Sequence, residues 1–169
     1  MALELKNIPE HELLLRDARR YPEADASAVE TCLTLLRISD DVEAAYGAHF
    51  ARHGLSQARF IVLMQLQREE EGLRPAELAE RTGVTRATMT GLLDGLEKEG
   101  LILRRAHVED GRMSVVRLSA RGRQRLEGIL PDHYRRTAAL MSGLSAEERQ
   151  QLEALLTKVA AGIPHVGDP

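Results

Sequence analysis

The chain has 169 residues, of which 43% are hydrophobic but only 3% aromatic, with no tryptophan. This composition favours helices packed through aliphatic side chains, and the single cysteine, Cys32, excludes a disulfide framework and a cysteine-based zinc site. The net charge of −3 is unevenly distributed: residues 74–125 hold 11 basic and 7 acidic side chains, against 12 and 19 elsewhere. A basic middle segment is typical of a nucleic-acid contact face, although on charge alone a chance distribution explains it equally well.

The N-terminal residues 1–26 are interpreted as an extension. They carry charges throughout and match neither a signal peptide nor a transit peptide. No apolar run in the chain approaches the ~20 residues that a membrane helix needs. We therefore expect a cytoplasmic protein with no membrane partner.

A long amphipathic helix is predicted over residues 27–54. Ser27 and Glu30 have capping-box spacing at its start, and Gly54 suits its end. Ser56 then caps a second helix, which is apolar on nearly every face and is therefore expected to be buried.

Two short helices joined by a tight turn are predicted next. Pro75 suits the first turn of the first helix, Gly83 permits the left-handed backbone of the turn, and Thr85 caps the second helix. The second helix has an apolar stripe that we expect to be buried: Val84, Met89, Leu92, Leu93 and Leu96.

The opposite face of that second helix carries small and hydroxylated residues and one cation: Thr85, Arg86, Ala87, Thr88 and Thr90. In a helix-turn-helix these positions enter the major groove of DNA. Arginine can bond guanine O6 and N7 together, and threonine can contact a base edge or a phosphate. The alternative is a plain helical hairpin in which Thr85 only caps.

A two-stranded hairpin is predicted after these helices, with strands at residues 101–105 and 113–118 around the turn-forming "EDGR". A ribbon that directly follows a recognition helix indicates a winged helix. Arg112 at the tip is expected to enter the narrow minor groove. Asp110 is expected to hold the tip by pairing with Arg112, Arg104 or Arg105, whereas the plain alternative is a solvated turn.

The C-terminal part is predicted to be helical. Ser119 begins a helix that Pro131 should kink, and Ser145 with Glu148 forms a second capping box. The tail, residues 164–169, is expected to fray. The fold is thus mainly α with a small β-wing, and its long outer helices need a partner surface, for which we predict a second copy of the chain.

Residues 73–122, "LRPAELAERTGVTRATMTGLLDGLEKEGLILRRAHVEDGRMSVVRLSARG", resemble the MarR (multiple antibiotic resistance regulator) family of transcription factors. The matching features are "LEKEGLILR", the wing-tip pair Asp110 and Arg112, and "LSARG" after the wing. Gly111 departs from the family, which often has a basic residue there. Among members, the chain looks most like repressors of multidrug efflux operons.

The resemblance implies a homodimeric repressor that binds double-stranded DNA at a pseudo-palindromic operator. Residues 27–54 and 123–163 would form the dimer and residues 55–122 the DNA-binding lobe. A small-molecule pocket would lie between the dimer helices and the lobe. Residues Thr85, Arg86, Ala87, Thr88 and Thr90 would read the major groove, and Arg112, braced by Asp110, the minor groove.

Two hypotheses for the effector follow from the resemblance. In the first, a small amphipathic or phenolic ligand binds near four candidate polar residues: Tyr46, His49, His53 and Arg59. The alternative is that these are ordinary surface or capping residues. In the second, Cys32 senses organic hydroperoxides, but that branch has tyrosines where this chain has Leu36 and Gln57. Because a thiolate needs stabilising donors, Cys32 is also interpreted as a small buried hydrophobe.

No catalytic pattern occurs in the sequence. The histidines lack a metal-site spacing such as H-E-x-x-H, and there is no nucleophile elbow or phosphate loop. We therefore predict that the chain is not an enzyme and has neither a metal site nor a cofactor. Besides a DNA-binding regulator and an enzyme, the third class of function considered is a helical adaptor that binds only protein. Weak salt dependence of its binding would distinguish it from a DNA-binding protein.

Overall fold

The computed structural model describes residues 15–16, 20–21, 23–106 and 114–167. It confirms the predicted fold class, mainly α with a small β-wing. The elements are α1 (Ala26–Arg52), α2 (Gln57–Gln67), α3 (Pro75–Thr82), α4 (Arg86–Lys98), β1 (Ile102–Ala106), β2 (Ser114–Leu118), α5 (Ala120–Leu140), α6 (Ala146–Ala161) and α7 (Pro164–Gly167).

The chain divides into two compact units, residues 1–119 and residues 120–169. The first unit contains the winged helix, and its core is aliphatic, as the composition indicated. Every element from α2 to β2 contributes to it. The side chains that are most completely buried there include Leu63, Leu66, Leu78, Met89, Leu93, Leu96, Ile102 and Val116.

Helix α1 begins earlier than the sequence indicated. The predicted cap was Ser27, but the residue that caps the helix is Asp25, whose Oδ1 accepts hydrogen bonds from the N–H groups of Ser27 and Ala28 at 2.9 and 3.1 Å. A carboxylate is a charged acceptor at the positive end of the helix dipole, which favours the aspartate. The caps predicted at Ser56 and Ser145 are confirmed.

The ribbon of β1 and β2 is antiparallel, with Ile102 opposite Leu118 and Arg104 opposite Val116. Leu73 adds an isolated bridge to Val116, with both of its backbone hydrogen bonds at 2.8–3.0 Å. The loop before α3 is thereby attached to the ribbon. The wing tip, residues 107–113, lies outside the described residues, and so do the predicted roles of Asp110 and Arg112.

The second unit is formed by α5, α6 and α7. Helix α5 runs through Pro131 without a break. No residue of α6 is buried. The tail differs from the expectation of fraying, because residues 164–167 form a single helical turn with backbone hydrogen bonds to residues 162 and 163. None of the helices in the described part of the chain combines the length and apolar character of a membrane span.

Candidate DNA-binding site

Helix α4 has one buried face and one exposed face. Met89, Leu93 and Leu96 are buried, whereas Val84 and Leu92 of the predicted stripe are only half-buried. The five residues at the start of α4 that are predicted to contact DNA are exposed: Thr85, Arg86, Ala87, Thr88 and Thr90. The structure therefore brings these five residues together on one surface, at the N-terminal end of α4.

The hydroxyl groups on this surface are engaged locally. Thr85 Oγ1 accepts a hydrogen bond from the Thr88 N–H at 3.1 Å and lies 2.9 Å from the Thr88 hydroxyl. Thr90 Oγ1 donates to the Arg86 carbonyl at 2.9 Å. The oxygens of Thr88 and Thr90 keep lone pairs that can accept from a base, and Thr85 keeps one when its hydroxyl donates to Thr88. The capping role of Thr85 is thus compatible with its predicted contact to DNA.

Ion pairs occupy most arginines of the lobe, but not Arg86. Arg59, Arg74, Arg81, Arg104 and Arg117 each contact a carboxylate. Within the described ranges, four arginines of the lobe are exposed and have no carboxylate within ion-pair distance: Arg68, Arg86, Arg105 and Arg121. A cation without an acidic partner at a helix N-terminus attracts an anion strongly, since the positive end of the helix dipole adds to the charge of the cation.

Arg86 and Thr90 border a cleft of about 470 Å³, together with Ser114 and the first turn of α3. Arg74 precedes that turn, and its guanidinium and backbone N–H both donate to Glu77 at 2.8 Å. These two hydrogen bonds lower the pKa of Glu77 to about 2. The carboxylate is therefore charged at neutral pH and compensates Arg74, which leaves Arg86 as the cation available in the cleft. This pair was not predicted from the sequence, although an acid three residues after a helix cap is a recognisable signal.

One of the three predicted partners of Asp110 is paired with other carboxylates in the structure. Arg104, one of three cations suggested for Asp110, contacts Asp94 at 2.5 Å and Glu97 at 3.4 Å, both on α4. Arg104 is therefore already engaged with the recognition helix. Its position on the inner face of β1, opposite Val116, directs it toward α4, and the pairing of Asp110 stays a prediction.

Three of the four candidate ligand-binding residues cluster at the end of α1. The ring of Phe50 stacks on Phe60 of α2 at 4.3 Å and lies 6.0 Å from the ring of Tyr46. His49 is buried, and its ring is 4.9 Å from Phe50 and 5.1 Å from His53. An aromatic cluster with imidazole and phenol groups suits an amphipathic aromatic ligand.

The fourth candidate, Arg59, lies elsewhere. Its guanidinium contacts Glu99 at 2.6 Å. It also passes over Gly95, where an added Cβ would meet its terminal nitrogen at 2.3 Å. Arg59 thus joins α2 to the C-terminal half of α4, and Gly95 provides the space for it.

Cys32 is exposed on α1. It does not behave as the small buried hydrophobe considered from the sequence. Among the described residues no hydrogen-bond donor or cation contacts its thiol, and such a donor is what stabilises a reactive thiolate.

Comparison with known proteins places this geometry among regulators of transcription. A sequence profile of the MarR family matches residues 53–113. The transcriptional repressor YetL of Bacillus subtilis is 39% identical over 155 residues, which is 91% of this chain and 93% of that repressor.

Solved structures agree with the fold. MepR of Staphylococcus aureus, in complex with DNA, superposes with a TM-score of 0.70 at 23% identity, over 78% of this chain and 95% of MepR. CouR of Rhodococcus jostii, bound to p-coumaroyl-CoA, superposes with a TM-score of 0.68 at 22% identity, over 77% of this chain and 91% of CouR. MepR is described as a regulator of the multidrug efflux pump MepA. At these identities the likeness is one of fold.

Proposed function

Because the chain belongs to the MarR family of winged-helix transcriptional regulators, we propose that it is a homodimeric repressor released from its operator by a small ligand. Its relatives are repressors and regulators, so the chain is a MarR-type transcriptional repressor and not an enzyme. The observation that carries the proposal is the exposed start of α4. Thr85, Ala87, Thr88 and Thr90 lie there beside Arg86, which has no described carboxylate within ion-pair distance.

In the proposed complex the first turns of α4 enter the major groove. The Arg86 guanidinium donates to guanine O6 and N7, and the hydroxyls and methyls of Thr85, Thr88 and Thr90 contact base edges and phosphates. The small Ala87 lets the helix approach closely. Arg112 reads the minor groove from the wing tip, with Asp110 as its brace.

Dimerisation is proposed through the outer helices. On α1, Leu36 and Ile38 are about half exposed, and α6 carries a row of exposed apolar residues: Leu152, Leu155, Leu156 and Val159. A second copy of the chain would cover such surfaces and give the protein the two-fold symmetry of a pseudo-palindromic operator.

The proposed effector is an amphipathic or phenolic molecule that binds the aromatic cluster at the end of α1. Tyr46, His49 and His53 would bond its polar groups, while Phe50 and Phe60 contact its ring. The protein has one conformation that fits the operator and another that does not. Such a ligand releases DNA only if its affinity is higher for the second conformation than for the first. The structure of CouR with an aromatic acyl-CoA supports this class of effector, and MepR supports an efflux or stress operon as the target.

Footprinting of the purified protein on its own upstream region tests this proposal. We expect two protected half-sites whose centres lie about 10 base pairs apart, or a multiple of that spacing. Addition of 4-hydroxybenzoate or a related phenol should abolish protection in the wild type. A parallel experiment with cumene hydroperoxide tests the alternative, hydroperoxide sensing through Cys32. In that case the reagent should release the wild type from DNA but not the Cys32→Ser variant. The proposal would be overturned if no site in the upstream region were protected.

Replacing Arg86 with alanine should weaken binding by about 1–3 kcal/mol, roughly 5- to 160-fold, for each half-site and relax the preference at one base pair of each. Fluorescence anisotropy on the footprinted site and on single-base variants of it measures both effects. Arg81→Ala is the matched control, because Arg81 is an exposed arginine of the same lobe that is already paired with Glu69 at 2.7 Å. Equal affinities of wild type and Arg86→Ala would remove Arg86 from the proposed contact.

A further inference from the structure

Arg104 is an arginine on the inner face of the wing ribbon. Side chains alternate between the two faces of a strand, so Arg104 shares a face with Ile102. Its cross-strand partner is Val116, and Ile102 pairs with Leu118. These three neighbours are all buried, with exposed fractions of 0–3%. Strand alternation would favour an apolar residue at such a position, so the presence of a cation there needs a reason.

The guanidinium of Arg104 faces α4, where one terminal nitrogen makes a hydrogen bond and the buried Nε makes none. One terminal nitrogen contacts Asp94 Oδ1 at 2.5 Å, and Nε lies 3.4 Å from Glu97 Oε2. The Nε atom is shielded from solvent. Its neighbour Arg105 differs in both solvent exposure and pairing, because it is exposed and contacts no carboxylate of the described residues.

From this geometry we infer that Arg104 is a positioning residue, which attaches the wing to the recognition helix and neutralises two of its carboxylates, and is not itself a phosphate ligand. Asp94 and Glu97 lie three residues apart on the exposed side of α4. Without Arg104 they would repel the phosphate backbone, and the ribbon would lose its polar attachment to α4. The inference rests on the proposed DNA-binding function.

Salt dependence separates positioning from phosphate contact. The logarithm of the binding constant falls with the logarithm of salt concentration by about 0.9 for each phosphate contacted. Arg104→Gln should lower operator affinity about 3- to 10-fold with an unchanged slope. Arg105→Gln, the control on the adjacent outward position, should reduce the slope by about one contact for each half-site. A reduced slope in Arg104→Gln would overturn the inference.

A double-mutant cycle with Asp94→Asn gives a second criterion. If Arg104 acts through Asp94, Arg104→Gln should cost clearly less in the Asp94→Asn background than in the wild type. If Arg104 contacts phosphate, the two changes should be additive, and Asp94→Asn alone should strengthen binding because it removes a negative charge. Additivity therefore contradicts the inference.

Hydrogen exchange without DNA distinguishes failure of this inference from failure of the proposed function. Arg104→Gln should accelerate exchange of the β1 and β2 amides, while the buried amides of α2 keep their protection. Unchanged exchange in the ribbon overturns the inference, whatever the DNA measurements show. A wild-type protein that binds no DNA overturns the proposed function alone.

Discussion

Replacing Gly72 with valine is expected to destabilise the lobe by about 2–5 kcal/mol, from backbone strain together with steric overlap. Gly72 has φ +84°, which L side chains rarely adopt, and an added Cβ would lie 2.5 Å from the Val116 carbonyl oxygen and from Arg117 Cγ. The backbone cannot yield easily. Leu73 is bonded to Val116 on one side, and the Glu71 carbonyl accepts from Arg117 Nε at 2.7 Å on the other.

Urea unfolding monitored by circular dichroism measures this effect. Gly91→Ala is the matched control, because Gly91 is an exposed residue inside α4 with no atom within 4 Å of an added Cβ. Alanine favours the helix over glycine, so that variant should be more stable by up to about 1 kcal/mol. Opposite signs at the two glycines are therefore expected, and a Gly72→Val protein as stable as the wild type would contradict the geometry of the loop.

Replacing Leu155 with glutamate is expected to convert the proposed dimer into monomers and to lower operator affinity by at least about 100-fold. Leu155 is 58% exposed in the single chain and lies in the apolar row of α6. A charge there would have to be desolvated in the proposed interface. Since joining two half-site contacts multiplies affinity by about 10²–10⁴, a monomer should lose that gain.

Analytical ultracentrifugation and anisotropy on the same samples measure the two effects. Gln150→Glu introduces the same charge on the same helix, about half a turn away from the apolar row by helical spacing, and should leave the dimer and its affinity unchanged. A Leu155→Glu protein that still sediments as a dimer would exclude this face of α6 from the interface.

The local features of the recognition helix could be predicted because they depend on neighbouring residues. Thr85 caps α4, Gly83 adopts the left-handed turn at φ 67°, and Met89 and Leu93 are buried at helical spacing. The start of α1 was predicted wrongly for a related reason. Asp25 and Ser27 are both good caps two residues apart, and their local sequence does not decide which of them the chain uses.

The function of individual charges was much harder to predict. Arg59, Arg104 and Arg117 all bind carboxylates, and their partners lie 40, 10 and 46 residues away in the chain. Nothing in the local pattern separates these arginines from Arg86. Arg59 was suggested for a ligand, and Arg104 as one of three partners for Asp110, on residue type alone. The packing of α2 and β1 against α4 places a carboxylate beside each of them.

Amino-acid order alone determined the type of each element from α1 to α6 and the outward face of α4, because caps, turns and helical periodicity act over a few residues. The tertiary structure decided which cations stay available to an anionic partner and why Gly72 cannot carry a side chain. Both depend on segments brought together by burial of the lobe's aliphatic core, and a Coulomb or steric contact between distant residues exists only after that burial.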